Sequence, residues 1–415
     1  MLHPAVSSRK TSRKKSTRQS TSTTGAAAEV VRSQARISCD RILVKRVHQS
    51  VDFLKVSFWI QWEDSKFLDP LDWLKKRLQS TDDEEVCVFK DCGLDWNLMR
   101  TGTNKFNYRL RSGDVTLLFN RREHYGNIPN FRIEIGSLTS QTALYQTIVN
   151  IKHWLERKHA VFMKEQVSEV HLAADFIGVD ITTLDIANQD RWIQRAHDFD
   201  PHYKYRKLTG VSVGKGDIML RVYDKVKELK GQEHKQEVFC DLWQLSSYDE
   251  HPVTRVEYQL RRPVLKEFQH LEFCNGVHTV KNFLFAIKAL WSYCTTYWAT
   301  FTKSTIDRKN NNQSKAKCSD FWKHVRAVVW IGMHEMRREK PVKHKNIEAL
   351  RKQARGIFMS IAAFFISDPD AIDSIVEQSQ TFLEQDLREF YKEESKFIRK
   401  MTQKRNEVLL DTVPF

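Results

Sequence analysis

The segment Glu169-Val170-His171-Leu172-Ala173-Ala174-Asp175-Phe176 decides how this chain is read. Side chains alternate between the two faces of an extended strand. Val170, Leu172, Ala174 and Phe176 therefore share one face, and Glu169, His171, Ala173 and Asp175 share the other. The first face is apolar and belongs against a core. The second carries an imidazole and carboxylates, with only a small alanine between His171 and Asp175.

Two later segments repeat the pattern. In Asp217–Lys225 the apolar set is Ile218, Leu220 and Val222, and the polar set is Arg221, Tyr223 and Lys225. In Val253–Arg261 one face shows Arg255, Glu257, Gln259 and Arg261. A sheet with one solvated face and ordinary cross-strand ion pairs would show the same alternation. If the three strands share a sheet, however, their polar faces combine into one site of carboxylates, imidazole, tyrosine and cations. Such ligands suit Mg²⁺ or Mn²⁺, which polarise a phosphoryl oxygen and orient a scissile phosphate. A tyrosine hydroxyl can attack phosphorus and form a covalent link, and arginine and lysine stabilise the phosphate charge.

Further strands are expected at Val51–Trp62, at Phe131–Ile135 and in a hairpin over Asn104–Arg121 that turns at Ser112-Gly113-Asp114. Leu144, Ile148, Ile151 and Leu155 recur at helical spacing, with Ser140 as a cap, and Thr182–Ala196 reads as another helix. This mixture predicts an α+β fold, an antiparallel sheet with helices packed on one face. Beyond residue 265 the strand signal ends. Helices are expected over Val280–Phe301, Phe321–Met336, Ile347–Ile366 and Ala371–Val408, with a polar loop at Asp307–Lys317. The organisation is thus a disordered basic tail over 1–35, an α+β domain over 36–265 and an all-helical region over 266–415.

Charge points to the partner. The net charge is +15 and the pI about 9.4, which fits a polyanion whose counterions are released on binding. In the tail, Lys14 and Lys15 sit among Ser and Thr in a stretch too polar to fold alone. The seven cysteines include no Cys-x-x-Cys pair, which argues against a zinc ribbon and a disulfide framework and fits a reducing cytoplasm. No apolar run is long enough to span a bilayer, so no membrane partner is expected. Gly210–Gly216 (GVSVGKG) lacks phosphate-loop spacing and reads as a hairpin turn, so nucleotide use is not expected.

Three ordered segments carry a resemblance to the replication initiation factor family, also called the trans-acting Rep family, of rolling-circle plasmid and phage initiators and related conjugative relaxases. They are His171-Leu172-Ala173-Ala174-Asp175-Phe176; Gly214-Lys215-Gly216-Asp217 leading into Arg221-Val222-Tyr223-Asp224-Lys225 and Glu228; and Arg255-Val256-Glu257-Tyr258-Gln259-Leu260-Arg261. The resemblance covers about residues 100–330. It implies an HUH-endonuclease-like sheet and a DNA nicking and joining activity. Under it Tyr223 is the nucleophile, Asp175, Glu257 and His171 hold the divalent metal, and Arg221 and Lys225 contact phosphate. Arg255, Arg261, Lys215, Lys14 and Lys15 are the expected DNA contacts. The family usually has an acidic residue where this chain has His171, and a basic one where it has Glu169.

Tyr205, in Tyr203-Lys204-Tyr205-Arg206, is a second nucleophile candidate. The resemblance further implies origin DNA as partner, with a replication helicase as a second partner; the oligomeric state stays open, a dimer being one form. The alternatives are a conjugative relaxase with the same chemistry and a sequence-specific DNA-binding protein without catalysis. An RNA-binding sheet is a weaker reading, because the suspected face is charged where exposed aromatics would be needed.

Overall fold

The computed structural model describes residues 43–91, 93–122, 128–136, 141–270, 274–307, 309, 313–332, 336–339 and 351–357, with isolated positions from 360 to 402. The basic tail with Lys14 and Lys15, the cap Ser140 and most of the last two expected helices lie outside the described residues. The chain divides into two compact units, Met1–Arg337 and Arg338–Phe415. In the second, residues 351–357 are helical.

Twelve strands precede residue 262: β1 (Arg46–Trp62), β2 (Glu85–Asp91), β3 (Leu94–Met99), β4 (Tyr108–Ser112), β5 (Val115–Phe119), β6 (Phe131–Ile135), β7 (Ala160–Ile177), β8 (Trp192–Gln194), β9 (Phe199–Lys204), β10 (Lys207–Val213), β11 (Ile218–Asp224) and β12 (Val253–Arg261). All but β8 form one sheet, in the order β2-β3-β4-β5-β6-β1-β7-β12-β11-β10-β9. Its pairings are antiparallel. The centre of the sheet is the pair β1–β7, which runs the full length of both strands.

The apolar face is covered by two long helices. In the helix Gln141–Arg157 the stripe Leu144, Ile148, Ile151 and Leu155 is buried, together with Trp154. The later helix Val280–Tyr293 starts at Thr279, whose hydroxyl and the Asn282 side chain cap each other's backbone N–H groups. It buries Phe283, Ile287, Leu290 and Trp291 in the same core as Val170, Leu172, Ala174 and Phe176. Each such side chain contributes about 1.5–3 kcal/mol.

The opposite face is partly covered too, contrary to the expectation of helices on one side. The helices Lys225–Leu229 and Glu233–Trp243 bury Leu229, Phe239 and Trp243 against Ile177 and Val253 in a separate small core. They lie across one end of the polar face and leave the other end free of that core.

Other expectations also need correction. Thr182–Ala196 is not a helix: Asp180 and Asn188 each accept from a backbone N–H two residues on, closing short 3₁₀ turns before β8. Val280–Phe301 is helical only to Trp298, its last turn a π-helix, and ends as the strand Ala299–Phe301 paired with β8. Phe321–Met336 shortens to a helix over Asp320–Arg326. Short strands at Phe268–His270 and Cys274–Asn275 show that the chain beyond 265 is not purely helical. The Gly-rich stretch turns at Gly214 (φ 78°) between β10 and β11. A Cβ at Gly214 would stand 2.9 Å from the Ile218 carbonyl oxygen, so the turn requires glycine.

Candidate active site

Register brings the three segments together. Asp175 on β7 lies opposite Arg255 on β12, which lies opposite Tyr223 on β11. One step along, Ala173 faces Glu257, which faces Arg221; one further, His171 faces Gln259. All these side chains project from the polar face, as the alternation requires.

The row nearest the covering helices is saturated. Arg255 has no exposed surface. Its Nε and one Nη donate to the two Asp175 oxygens at 2.5 and 2.8 Å, and its other Nη donates to Asp52. The Trp243 indole N–H donates to Asp175 at 2.8 Å. Burial pushes the Asp175 pKa up, but the Arg255 charge and hydrogen bonds outweigh it and hold the carboxyl below its usual range. Lys225 is buried as well, its Nζ 2.5 Å from Glu228 and 4.7 Å from the centre of the Phe239 ring. Burial and the Arg255 charge lower its pKa.

The next row is less covered. The Tyr223 hydroxyl donates to Glu257 Oε2 at 2.9 Å. Glu257 Oε1 accepts from Arg221 at 2.7 Å and lies 3.2 Å from His171 Nδ1. His171 Nε2 is 3.1 Å from Glu169, which also accepts from Lys55 at 2.8 Å and from Gln259 at 2.5 Å. Burial works against the charged form of His171, but Glu169 and Glu257 prevail and raise its pKa. Burial pushes Glu257 up; His171, then Arg221 and Arg255, bring it down to about 2. The Tyr223 phenol is raised well above its usual value by burial and by the nearby Glu257 and Asp52 carboxylates, against the Arg255 charge.

Asp52, His171 and Glu257 form a group that could hold a metal ion, with one ligand atom from each lying within 4.8 Å of the others. The donor chemistry, two carboxylates and an imidazole, fits a hard or borderline divalent cation such as Mg²⁺ or Mn²⁺. Asp52 was not legible in the sequence. It is the extra residue where the β1–β7 register shifts between Val51 and Phe53, a bulge that re-aims its side chain. Its only trace is that it is the one acid in β1, whose other charged residues are Arg46 and Lys55.

Of the expected site residues, Tyr223, Arg221, Glu257 and His171 meet directly. Asp175 and Arg255 pair beneath them. Lys225 opens the helix after β11. Arg261 is exposed at the end of β12, and Lys215 is exposed in the β10–β11 turn, 3.1 Å from Asp200 and 3.6 Å from Asp198. Tyr205 lies at the exposed β9–β10 turn. Gly210, opposite Tyr223, leaves no room for a side chain: a Cβ there would stand 2.9 Å from the Tyr223 Cβ.

Neither the family models nor the curated proteins contain a match to this chain. Among solved structures, the chain is similar to a rolling circle replication initiator protein from Geobacillus stearothermophilus. The TM-score is 0.38 and the identity 12%, covering 71% of this chain and 100% of that one. No helix among the described residues is long and apolar enough to cross a membrane.

Proposed function

We propose that this chain nicks and rejoins DNA at a replication origin through a tyrosyl-phosphodiester intermediate, with Tyr223 as nucleophile. The observation that carries the reading is the Tyr223 hydroxyl donating to Glu257, a carboxylate that also belongs to the Asp52–His171–Glu257 group. A phenol, a carboxylate that orients it and a cation-binding triad are the parts that phosphoryl transfer through tyrosine needs. A divalent cation held by Asp52, His171 and Glu257 would polarise the scissile phosphate and favour the ionised phenol.

The chain's own residues do the rest. The Tyr223 oxygen bonds to phosphorus, and the phenolic proton, held on its hydrogen bond to Glu257, is released to solvent. The bond from phosphorus to the 3′ oxygen breaks, its electron pair stays on that oxygen, and solvent protonates it. The 5′ end then remains on Tyr223, and attack by a 3′ hydroxyl reverses the step and rejoins the strand. Arg221 stands 2.7 Å from Glu257 and is half-buried, placed to meet a phosphate oxygen. Arg255 and Asp175 do not reach solvent and serve as the floor that orients Tyr223 and Asp52. In this reading the sheet region carries the chemistry, the basic N-terminal tail tracks phosphate, and Arg261 and Lys215 add DNA contacts.

The test uses supercoiled DNA carrying the cognate origin, with Mg²⁺ or Mn²⁺. Nicked circles and a covalent protein–DNA adduct are expected from the wild type, and no adduct from Tyr223→Phe. An adduct that survives in the variant moves the nucleophile elsewhere. Origin binding without nicking under either metal establishes a DNA-binding protein without catalysis.

A further inference from the structure

Strands β9 and β10 form a ribbon at the edge of the sheet, and its outer part is exposed. Residues Pro201 to Lys207 are all exposed. Pairing places Gly210 opposite Tyr223, and the ribbon then continues past the end of β11 to a two-residue turn at Tyr205-Arg206. At roughly 3.3 Å per residue the tip stands about 15 Å from that pairing along β10.

Three features of the tip work against its stability. Tyr205 and Arg206 both have left-handed backbones, φ 49° and 63°. A two-residue turn of this kind normally takes Asn-Gly, because other L-residues are strained there. Lys204 lies directly opposite Lys207, a like-charge pair that repels. Tyr203 and Tyr205 are 58% and 89% exposed. Lys204, Arg206 and Lys207 carry the charge there, while Asp200, further down the ribbon, faces Lys215. The Lys204 ammonium sits 6.0 Å over the Tyr205 ring. Strain, self-repulsion and exposed rings in an exposed segment are costs with little return in the folded chain alone.

We infer that this tip binds an unpaired DNA strand, the two tyrosines stacking on bases while Lys204, Arg206 and Lys207 meet phosphates. Every base offers a face to stack on, so this mode tolerates sequence. The inference deepens the nicking reading by naming what holds the strand beside Tyr223, and it takes Tyr205 out of the nucleophile's role.

The test is anisotropy of a fluorescein-labelled oligothymidylate with the full-length protein and no metal. Tyr203→Ala/Tyr205→Ala should weaken binding by roughly 10–100-fold at an unchanged salt slope. Lys204→Gln/Lys207→Gln should reduce the salt slope by about 1.4, at about 0.7 per phosphate on a single strand. Tyr205→Asn/Arg206→Gly, which gives the turn its preferred residues, should lose affinity while the melting midpoint holds or rises.

Binding by the tyrosine variant within twofold of wild type overturns the inference. So does an equal loss on blunt duplex, or a lowered melting midpoint in the turn variant, which would make the tip a folding element. The two readings fail separately. If wild type and tip variants bind alike while Tyr223→Phe alone loses the adduct, the tip inference falls and nicking stands. If the tip variants lose the oligonucleotide but wild type forms no adduct with metal, nicking falls and the tip inference stands.

Discussion

Two adjacent rows of one sheet face carry nearly the same chemistry and differ in how far they are closed off. Asp175 and Arg255 form a carboxylate–guanidinium pair with no exposed surface, closed over by Trp243 and its helix. Glu257 and Arg221, one step along the strands, form another pair, but Arg221 keeps about a third of its side chain exposed and Glu257 shares its oxygens with Tyr223 and His171. What separates the closed pair from the partly exposed one here is coverage by a helix, not residue type. The buried pair has every oxygen committed. The open one has a proton donor, an imidazole and a neighbouring carboxylate competing for the same atoms, which is the state an incoming cation or phosphate can reorganise.

That contrast can be broken in graded ways. The largest effect is expected from Glu257→Gln. Adduct formation on supercoiled DNA should fall by roughly 10²–10³-fold, the worth of one preorganised electrostatic contact, with a smaller loss of stability than any change in the buried row. Arg255→Met should do the reverse. It strands Asp175 and Asp52 without their cation, and denaturant melts should show a loss of about 3–5 kcal/mol. If the two variants lose stability equally, the distinction between the rows is wrong.

Acid should act on the buried row in a stated direction. The folded pKa of Asp175 lies below its ordinary value of 3.8, so its stabilisation is present above that value and is lost as pH falls through the folded one. Melting midpoints taken below about pH 4 should therefore drop less steeply in Asp175→Asn/Arg255→Met than in wild type. Gly210→Ala tests placement of the phenol alone. The new Cβ presses on Tyr223, and a displacement of about 1 Å at a reacting atom costs on the order of 10²-fold in rate. The smallest effect is expected from Glu169→Gln. With one of its two carboxylate neighbours neutralised, His171 should titrate lower by NMR than in wild type, while nicking changes least among these variants.

Much of this site was legible from the chain because strand alternation is local. Reading Glu169–Phe176, Asp217–Lys225 and Val253–Arg261 one residue at a time assigns each side chain to a face, and sheet pairing joins those faces without shifting them. Asp52 escaped because a bulge is a one-residue exception to that alternation, fixed by the partner strand. Trp243 escaped because what it covers depends on a helix folding back over the sheet. The β9–β10 ribbon escaped for a third reason. Phe199–Lys204 contains Pro201, which argues against a strand, and Tyr205-Arg206 has neither the glycine nor the asparagine that marks a tight hairpin turn.

The long β1–β7 pairing also sets when the site can exist at all. Lys55 and Glu169 meet across 114 residues of sequence, and Asp52 reaches Arg255 across 203. A nascent chain cannot assemble the triad until β12 has been synthesised, and the early strand β1 must wait unpaired on one side while the rest arrives. Closing such long loops before any contact rewards them places this chain among slow folders, on the scale of milliseconds to seconds or longer. Its first strand, rich in apolar residues over Val51–Trp62, is then the segment most in need of a chaperone during synthesis.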